Sequence, residues 1–200
     1  TSAGYYAAEG AATQTQADAG YYAVAGACDQ TKVTAGCYTT AKGSSVACPN
    51  SCANLGGGLY KNSTAGSDAA TDCYVTTTAG KYIKATTDTA QTTCPSGDYC
   101  PAKTLYWENT GGNIDCPGSY TAGGTGLTKE AECKISVAGG KYVGTKNSST
   151  LSTCECGTYK AQHSVAYGST SSCTTTSAGY YAAEGAATQT QASAGYYAAA

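Results

Sequence analysis

Residues 1–23 read TSAGYYAAEGAATQTQADAGYYA, and residues 176–198 read TSAGYYAAEGAATQTQASAGYYA. The two stretches differ only at Asp18 against Ser193, so from Thr176 onward the chain restarts its own sequence. Each stretch holds the tripeptide G-x-Y twice. Along the chain that tripeptide ends at Tyr6, Tyr22, Tyr38, Tyr60, Tyr82, Tyr99, Tyr120, Tyr142, Tyr159, Tyr181 and Tyr197. Successive members of this series stand sixteen to twenty-two positions apart, and self-similarity at so narrow a spacing marks a repeat architecture. The reading is one long repeat of about nine modules over 1–175, with the next copy beginning in 176–200. Two organisations stay open: a window on a longer tandem array, or a subunit whose two ends are alike.

The composition explains why modules replace a domain core. Of 200 residues, 41% are nominally hydrophobic, but 36 are Ala, 18 Tyr and 12 Cys, with 15 Val, Ile or Leu and no Phe or Met. At ~25 cal/mol per Å², that apolar surface does not offset the ordering of a chain this long. A net charge of -2 is too small for a chain kept disordered by charge. Twelve cysteines, 26 glycines and 50 Ser plus Thr instead describe a disulfide-stapled, loop-rich, extracellular protein. The basic residues are 11 scattered lysines, so the electrostatic footprint of nucleic-acid binding is missing. No stretch reaches the ~18 consecutive apolar residues of a membrane span. The sequence starts at Thr1 without a charged-then-apolar leader, and the expectation is that any signal peptide is absent or already removed.

A module of about 20 residues buries no core of its own. It needs a covalent staple and one large side chain, which Cys and Tyr supply, the phenol staying wet at its tip. Gly permits the bend that opens a short strand, and the Thr-rich runs favour β structure. In the Gly-Tyr-Tyr doublets, neighbouring side chains point to opposite faces, so one Tyr is expected to pack inward and the other outward. The AAEGAATQTQ segments also admit a helical reading, weakened by Gly and Thr. The segment 101–115, which holds the only Trp, reads as an insertion. The expected fold is therefore small disulfide-rich β modules of short strands and hairpins, stacked in tandem as an elongated rod, with little or no helix.

Cys94-Pro-Ser-Gly-Asp-Tyr99-Cys100-Pro101, Cys116-Pro-Gly-Ser-Tyr120 and Cys156-Gly-Thr-Tyr159 resemble the C-P-x-G-x-Y opening of ephrin-receptor-like cysteine-rich repeats, a class similar in style to TNF-receptor repeats. The resemblance covers roughly 48–175. The modules at Tyr6, Tyr22, Tyr181 and Tyr197 depart from it, because they lack flanking cysteines. Such repeats form long arrays in the surface and appendage proteins of protists. The resemblance implies local, sequential disulfides: Cys28–Cys37, Cys48–Cys52, Cys73–Cys94, Cys100–Cys116, Cys133–Cys154 and Cys156–Cys173.

No catalytic, cofactor or metal residue is assigned. The single histidine, His163, is read as lying in a loop without a nucleophile partner. Glu130 and Glu132 flank one Ala and read as a solvated strand edge. Cys154-Glu-Cys156 and Cys48-Pro-Asn-Ser-Cys52 follow the repeat frame, not a zinc-ligand spacing. Asn62-Ser-Thr and Asn147-Ser-Ser are N-glycosylation sequons, while Asn50-Ser-Cys52 ends on a cysteine expected to be bonded. The Thr runs at 76–78, 86–93 and 174–176 suggest O-glycans.

The expected function is structural: a glycosylated subunit of an extracellular filament or cell-surface appendage, built from copies of itself as a homopolymer or a covalent array, and not an enzyme. The alternative is an adhesin or receptor-like ectodomain that binds glycans or a protein partner, with Tyr106 and Trp107 as its contact.

Overall fold

The computed structural model describes residues 1–196. The eleventh G-x-Y, ending at Tyr197, lies outside the described residues. The chain forms two compact units, one of Thr1–Thr92 with Ala102–Gly112 and one of Thr93–Pro101 with Asn113–Ala200. This division does not follow the long repeat.

Both units consist of short antiparallel strand pairs, many of them hairpins. G-x-Y opens most of them: Tyr5–Tyr6 pairs with Thr15–Gln16, Tyr21–Tyr22 with Thr31–Lys32, and Cys37–Tyr38 with Asn50–Ser51 in the first unit. Asp98–Tyr99 pairs with Ile114–Asp115, Lys141–Tyr142 with Ser152–Thr153, and Thr158–Tyr159 with Thr174–Thr175 in the second. Helix among the described residues is confined to the single 3-10 turns Cys52–Asn54, Ala70–Asp72 and Glu130–Glu132. The AAEGAATQTQ segment turns and returns as a strand, Tyr180–Tyr181 against Thr190–Gln191, in the register of its N-terminal copy.

The residue after each return strand turns inward. Ala17, Val33, Cys52, Cys94 and Cys154 are each fully buried there, so a Cys of one module occupies the place of an Ala or Val in another. Of the described strand doublets only Tyr180–Tyr181 divides as expected, with Tyr180 half-buried and Tyr181 exposed. Tyr5, Tyr6, Tyr21 and Tyr22 are all half-buried, because a two-residue strand at the edge of a small module has no fully enclosed face.

Each unit also has a core cluster. In the first, Cys52, Tyr60, Cys73, Val75, Ile83 and Leu105 pack with Trp107. In the second, Cys116, Tyr120, Leu127, Cys133, Ile135, Val137, Val143 and Val165 pack with Tyr167. Each cluster sits under a longer antiparallel pair, Tyr74–Thr76 with Thr104–Tyr106 and Lys134–Val137 with His163–Ala166. Residues 104–106 thus pair with Tyr74–Thr76 across the intervening strands, and the segment 101–115 has its counterpart in 161–175, so it is not an insertion. The two clusters are copies of one arrangement, position for position: Tyr60 and Tyr120, Cys73 and Cys133, Ile83 and Val143, Leu105 and Val165, Trp107 and Tyr167.

The disulfides correct the expected pairing throughout. The bonds are Cys37–Cys48, Cys52–Cys73, Cys94–Cys100, Cys116–Cys133 and Cys154–Cys173, with Cα separations of 5.2 to 5.9 Å. Cys28 and Cys156 are unpaired and exposed. None of Cys28–Cys37, Cys48–Cys52, Cys73–Cys94, Cys100–Cys116, Cys133–Cys154 or Cys156–Cys173 forms. Burial explains the shift. Cys52 and Cys73 enter one cluster interior, and Cys116 and Cys133 the other, whereas Cys28 and Cys156 lie in exposed turns. Cys48 and Cys52 stand at the two ends of the strand Asn50–Ser51 and bond in different directions.

Candidate functional site

The recurring site is a backbone seat by which one module holds the next. In the first module the Gly4 N–H donates to the Ala23 carbonyl (2.7 Å), the Ala7 N–H to the Ala27 carbonyl (3.2 Å), and the Thr1 carbonyl accepts from Gly26 N–H (3.1 Å). One module on, the same three bonds are Gly20 to Thr39, Ala23 to Ser44, and Gly43 to Ala17. They recur as Gly36 to Ser63, Thr39 to Ser67, and Gly66 to Val33. In the second unit they are Gly157 to Ala182 (2.9 Å), Lys160 to Ala186 (3.2 Å), and Gly185 to Cys154 (2.8 Å). Because these bonds use main-chain atoms, the seat is independent of side chain and tolerates Cys-rich and Cys-free modules alike.

The seat has a second layer. Gly4 lies directly under the carbonyl of Gly43, Gly20 under that of Gly66, and Gly140 under that of Gly185, in each case two modules further on. All three are buried with φ near +80°, and a Cβ at any of them would overlap that carbonyl. Glycine is required there on both counts.

The two ends of the described chain differ in how the seat is filled. In the C-terminal copy, the Ala182 carbonyl, Gly185 N–H and Ala186 carbonyl rest on the preceding module. Their N-terminal counterparts Ala7, Gly10 and Ala11 have no hydrogen-bond partner for these atoms among the described residues. Among the described residues nothing covers Gly157 or Gly179, where Gly4, Gly20 and Gly140 are covered.

The residues singled out from sequence are dispersed. Asn62 and Asn147 are both exposed, Asn147 at a turn tip with φ of 61°. Thr77 and Thr176 are buried and inaccessible within their Thr runs. Tyr106 is 51% exposed, whereas Trp107 turns inward and meets Tyr60 edge-on. The indole also packs on Gly56. Glu130 and Glu132 lie on a 3-10 turn instead of a strand edge, because the Glu132 carboxylate accepts from the Thr128 N–H (2.7 Å) and its hydroxyl. The Thr128 backbone bond, foremost, holds that carboxyl below its ordinary value. Asp18 is likewise lowered, first by its hydrogen bond from Lys42 at 2.9 Å.

His163 stands in a strand, with Nδ1 2.9 Å from the Ala161 carbonyl and Nε2 3.0 Å from Ser171 Oγ. Sequence reading gave it no partner, and Ser171 escaped because it approaches only across the turn that follows the strand. The carbonyl requires Nδ1–H, so the Ser171 hydroxyl donates to Nε2 while accepting the Val143 N–H at 3.0 Å. Ser171 thereby does the work that the Gly111 carbonyl does for Ile83 in the first unit, and the ring has a carbonyl where a catalytic dyad would be oriented by a carboxylate.

Sequence reading also missed the internal repeat that relates the two clusters. The signal was present: Gly58, Tyr60, Gly66, Cys73, Gly80, Lys81, Tyr82, Cys94, Gly97 and Tyr99 recur in order as Gly118, Tyr120, Gly126, Cys133, Gly140, Lys141, Tyr142, Cys154, Gly157 and Tyr159. Five disulfides fit a secreted or extracellular protein. Among the described residues no helix is long and apolar enough to cross a membrane. No protein-family model matches the chain, and neither does any curated protein.

Proposed function

We propose that this chain is a structural building block of an extracellular filament or surface appendage, made of stacked copies of its own repeat and carrying N- and O-glycans. The observation that carries this reading is the seat. The same set of three backbone bonds joins one module to the next at four places, and residues 1–23 and 176–198 are near-identical versions of one module pair. A contact that repeats head to tail without closing propagates into a fibre. The resemblance to ephrin-receptor-like repeats, which form long arrays, points the same way. The ectodomain reading loses its principal anchor, since Trp107 is committed to the Tyr60 cluster and Tyr106 is left as the outward side chain.

Electron microscopy of the purified chain is the test. The expected result is filaments whose axial period corresponds to one long repeat, 1–175, whether the copies are separate molecules or one polypeptide. A compact monomer at all concentrations overturns the reading.

A further inference from the structure

We infer that the N-glycan of Asn62 lies on the rings of Tyr74 and Tyr106, so that one rung of the first unit carries both a sugar and the aromatic surface that seats it. The backbone sets this rung. Asn62 and Tyr74 exchange both main-chain bonds, the Asn62 N–H donating to the Tyr74 carbonyl at 3.2 Å and the Tyr74 N–H to the Asn62 carbonyl at 2.7 Å. Tyr74 in turn stands opposite Tyr106 in the antiparallel pair. Residues directly opposite one another share a face, so Asn62, Tyr74 and Tyr106 form a single row. The next rung, Val75 with Leu105, is buried, which places the row on the outer face.

The tyrosine end of the row is a close aromatic pair. The Trp107 N–H donates to the Cys73 carbonyl, which makes Tyr74–Tyr106 a non-hydrogen-bonded rung, the kind in which side chains approach most closely. The ring centroids are 5.8 Å apart, with planes at 59°. Tyr106 is exposed and Tyr74 half-buried. The Asn62 end is open to modification. Asn62 and Thr64 are exposed, while Ser63 between them is buried and donates its hydroxyl to the Cys37 carbonyl. Among the described residues the Asn62 side chain has no hydrogen-bond partner, whereas the Asn50 amide is held by the Tyr38 carbonyl. A pyranose ring presents polarised C–H bonds on its faces, and these pack on the negative face of an aromatic ring. Strands lie ~4.8 Å apart, so a glycan on Asn62 meets Tyr74 first and Tyr106 one strand further on.

The second unit is a built-in control. Its equivalent row is Ala122, Lys134 and Ala166, with the Ala122 N–H donating to the Lys134 carbonyl and Lys134 opposite Ala166. Ile135 and Val165 are buried beneath it as Val75 and Leu105 are in the first unit. The same fold therefore forms without either tyrosine, and the sequon and both rings are present together in one unit and absent together from the other.

Attachment is glycosyl transfer from a lipid-diphosphate-linked oligosaccharide. The Asn62 amide nitrogen bonds to the anomeric carbon, the bond from that carbon to the diphosphate oxygen breaks, the lipid diphosphate leaves, and the amide proton passes to a base of the transferase.

This rests on the glycosylated reading above. The test uses the full chain secreted from a eukaryotic expression line, with site occupancy read from glycopeptides. Tyr74→Lys combined with Tyr106→Ala gives the row the side chains of the second unit and so preserves the fold. Asn62→Gln is placed in both the native and this double-variant background, and thermal unfolding of the four proteins is compared. The expected result is that the Asn62 glycan raises the unfolding midpoint by a few degrees in the native background and leaves it unchanged in the double variant. The Asn147 glycan, removed by Asn147→Gln, is expected to have the same effect in both backgrounds. NMR of the native glycoprotein should show contacts from the core sugars at Asn62 to the Tyr74 and Tyr106 rings. An occupied Asn62 whose sugars contact neither ring, or whose glycan shifts the midpoint equally in both backgrounds, overturns the inference and leaves the glycosylated reading standing. A bare Asn62 overturns the inference together with the glycan reading at that site.

Discussion

The phenol of Tyr60 meets the Trp107 indole edge-on, with ring centroids 5.3 Å apart and planes at 86°. At the equivalent place in the second cluster, Tyr120 meets Tyr167 in the same way, at 5.2 Å and 89°. In both pairs the backbone of the second aromatic is fixed by its amide N–H, Trp107 donating to the Cys73 carbonyl and Tyr167 to the Cys133 carbonyl. Tyr60 and Tyr120 are buried, and their hydroxyls donate to the Asn109 and Ser148 carbonyls. Each fills the space that Phe, Leu or Met would fill elsewhere, and it needs a partner for its hydroxyl.

Truncating either buried tyrosine should therefore act as a core deletion. Tyr60→Ala and Tyr120→Ala are expected to cost about 3–5 kcal/mol each by chemical denaturation. Tyr60→Phe should cost about 1 kcal/mol, the net worth of the lost hydrogen bond. Trp107→Tyr should be better tolerated than Trp107→Ala, because Tyr does the same work at position 167. Equal losses for Trp107→Tyr and Trp107→Ala would show that the aromatic pair is not the stabilising element.

The disulfide map is directly measurable. Non-reducing peptide mapping is expected to join Cys52 to Cys73 and Cys116 to Cys133. Both bonds close comparable loops, of 21 and 17 residues, at the floor of a cluster. Replacing Cys52 and Cys73 together by Ala should cost about 3 kcal/mol. Recovery of Cys48 joined to Cys52 would refute the map.

Module periodicity, β structure and the sparing use of helix were all legible in the sequence, because G-x-Y tripeptides spaced as closely as Tyr6, Tyr22 and Tyr38 leave little room for anything except hairpins. Cysteine pairing was not, because a one-step shift of the frame leaves every spacing intact. Only burial distinguishes Cys154 from its neighbour-but-one Cys156, and burial depends on which end of a two-residue strand faces the cluster. The seat was illegible for a different reason. It is made of backbone atoms, and its sole mark in the sequence is a glycine that a turn alone would explain. Trp107 misled through its rarity: it looked like a ligand contact, yet it occupies the place of Tyr167.

Acid should weaken the turn that precedes the strand Lys134–Val137. Hydrogen bonds from Thr128 favour the charged Glu132 carboxylate, so its folded value lies below the ordinary 4.5. The stabilisation is then complete above the unfolded value and is lost as pH falls through the folded one. An NMR titration of the Glu132 side chain should give a midpoint under 4.5, and Glu132→Gln should remove that part of the acid dependence. A midpoint at or above 4.5 would contradict the turn geometry.

Glycan occupancy should follow exposure. Intact glycopeptides from native material are expected to carry glycans on Asn62 and Asn147. Asn50 should be bare, because its side-chain amide is engaged with the Tyr38 carbonyl and its sequon ends on the disulfide-bonded Cys52. Within the Thr runs, Thr77 and Thr176 should be unmodified, since both are buried. A glycan on Thr77 would require that module to open.

Seat glycines provide the sharpest contrast between folding and assembly. Gly140 and Gly179 share a left-handed backbone, with φ of 77° and 82°, so an Ala at either position carries a strain of about 1–2 kcal/mol. At Gly140 the new methyl also overlaps the Gly185 carbonyl, and Gly140→Ala should unfold the C-terminal modules at distinctly lower denaturant. At Gly179 the methyl meets nothing among the described residues, so Gly179→Ala should cost the isolated chain only that strain and leave it folded. If the stack continues through this end, a following copy brings its own carbonyl onto Gly179, as Gly43 does onto Gly4. Gly179→Ala should then abolish filaments while sparing the fold, as read by electron microscopy and thermal melting of the same preparation. Wild-type filaments from Gly179→Ala would mean that copies do not meet through this seat.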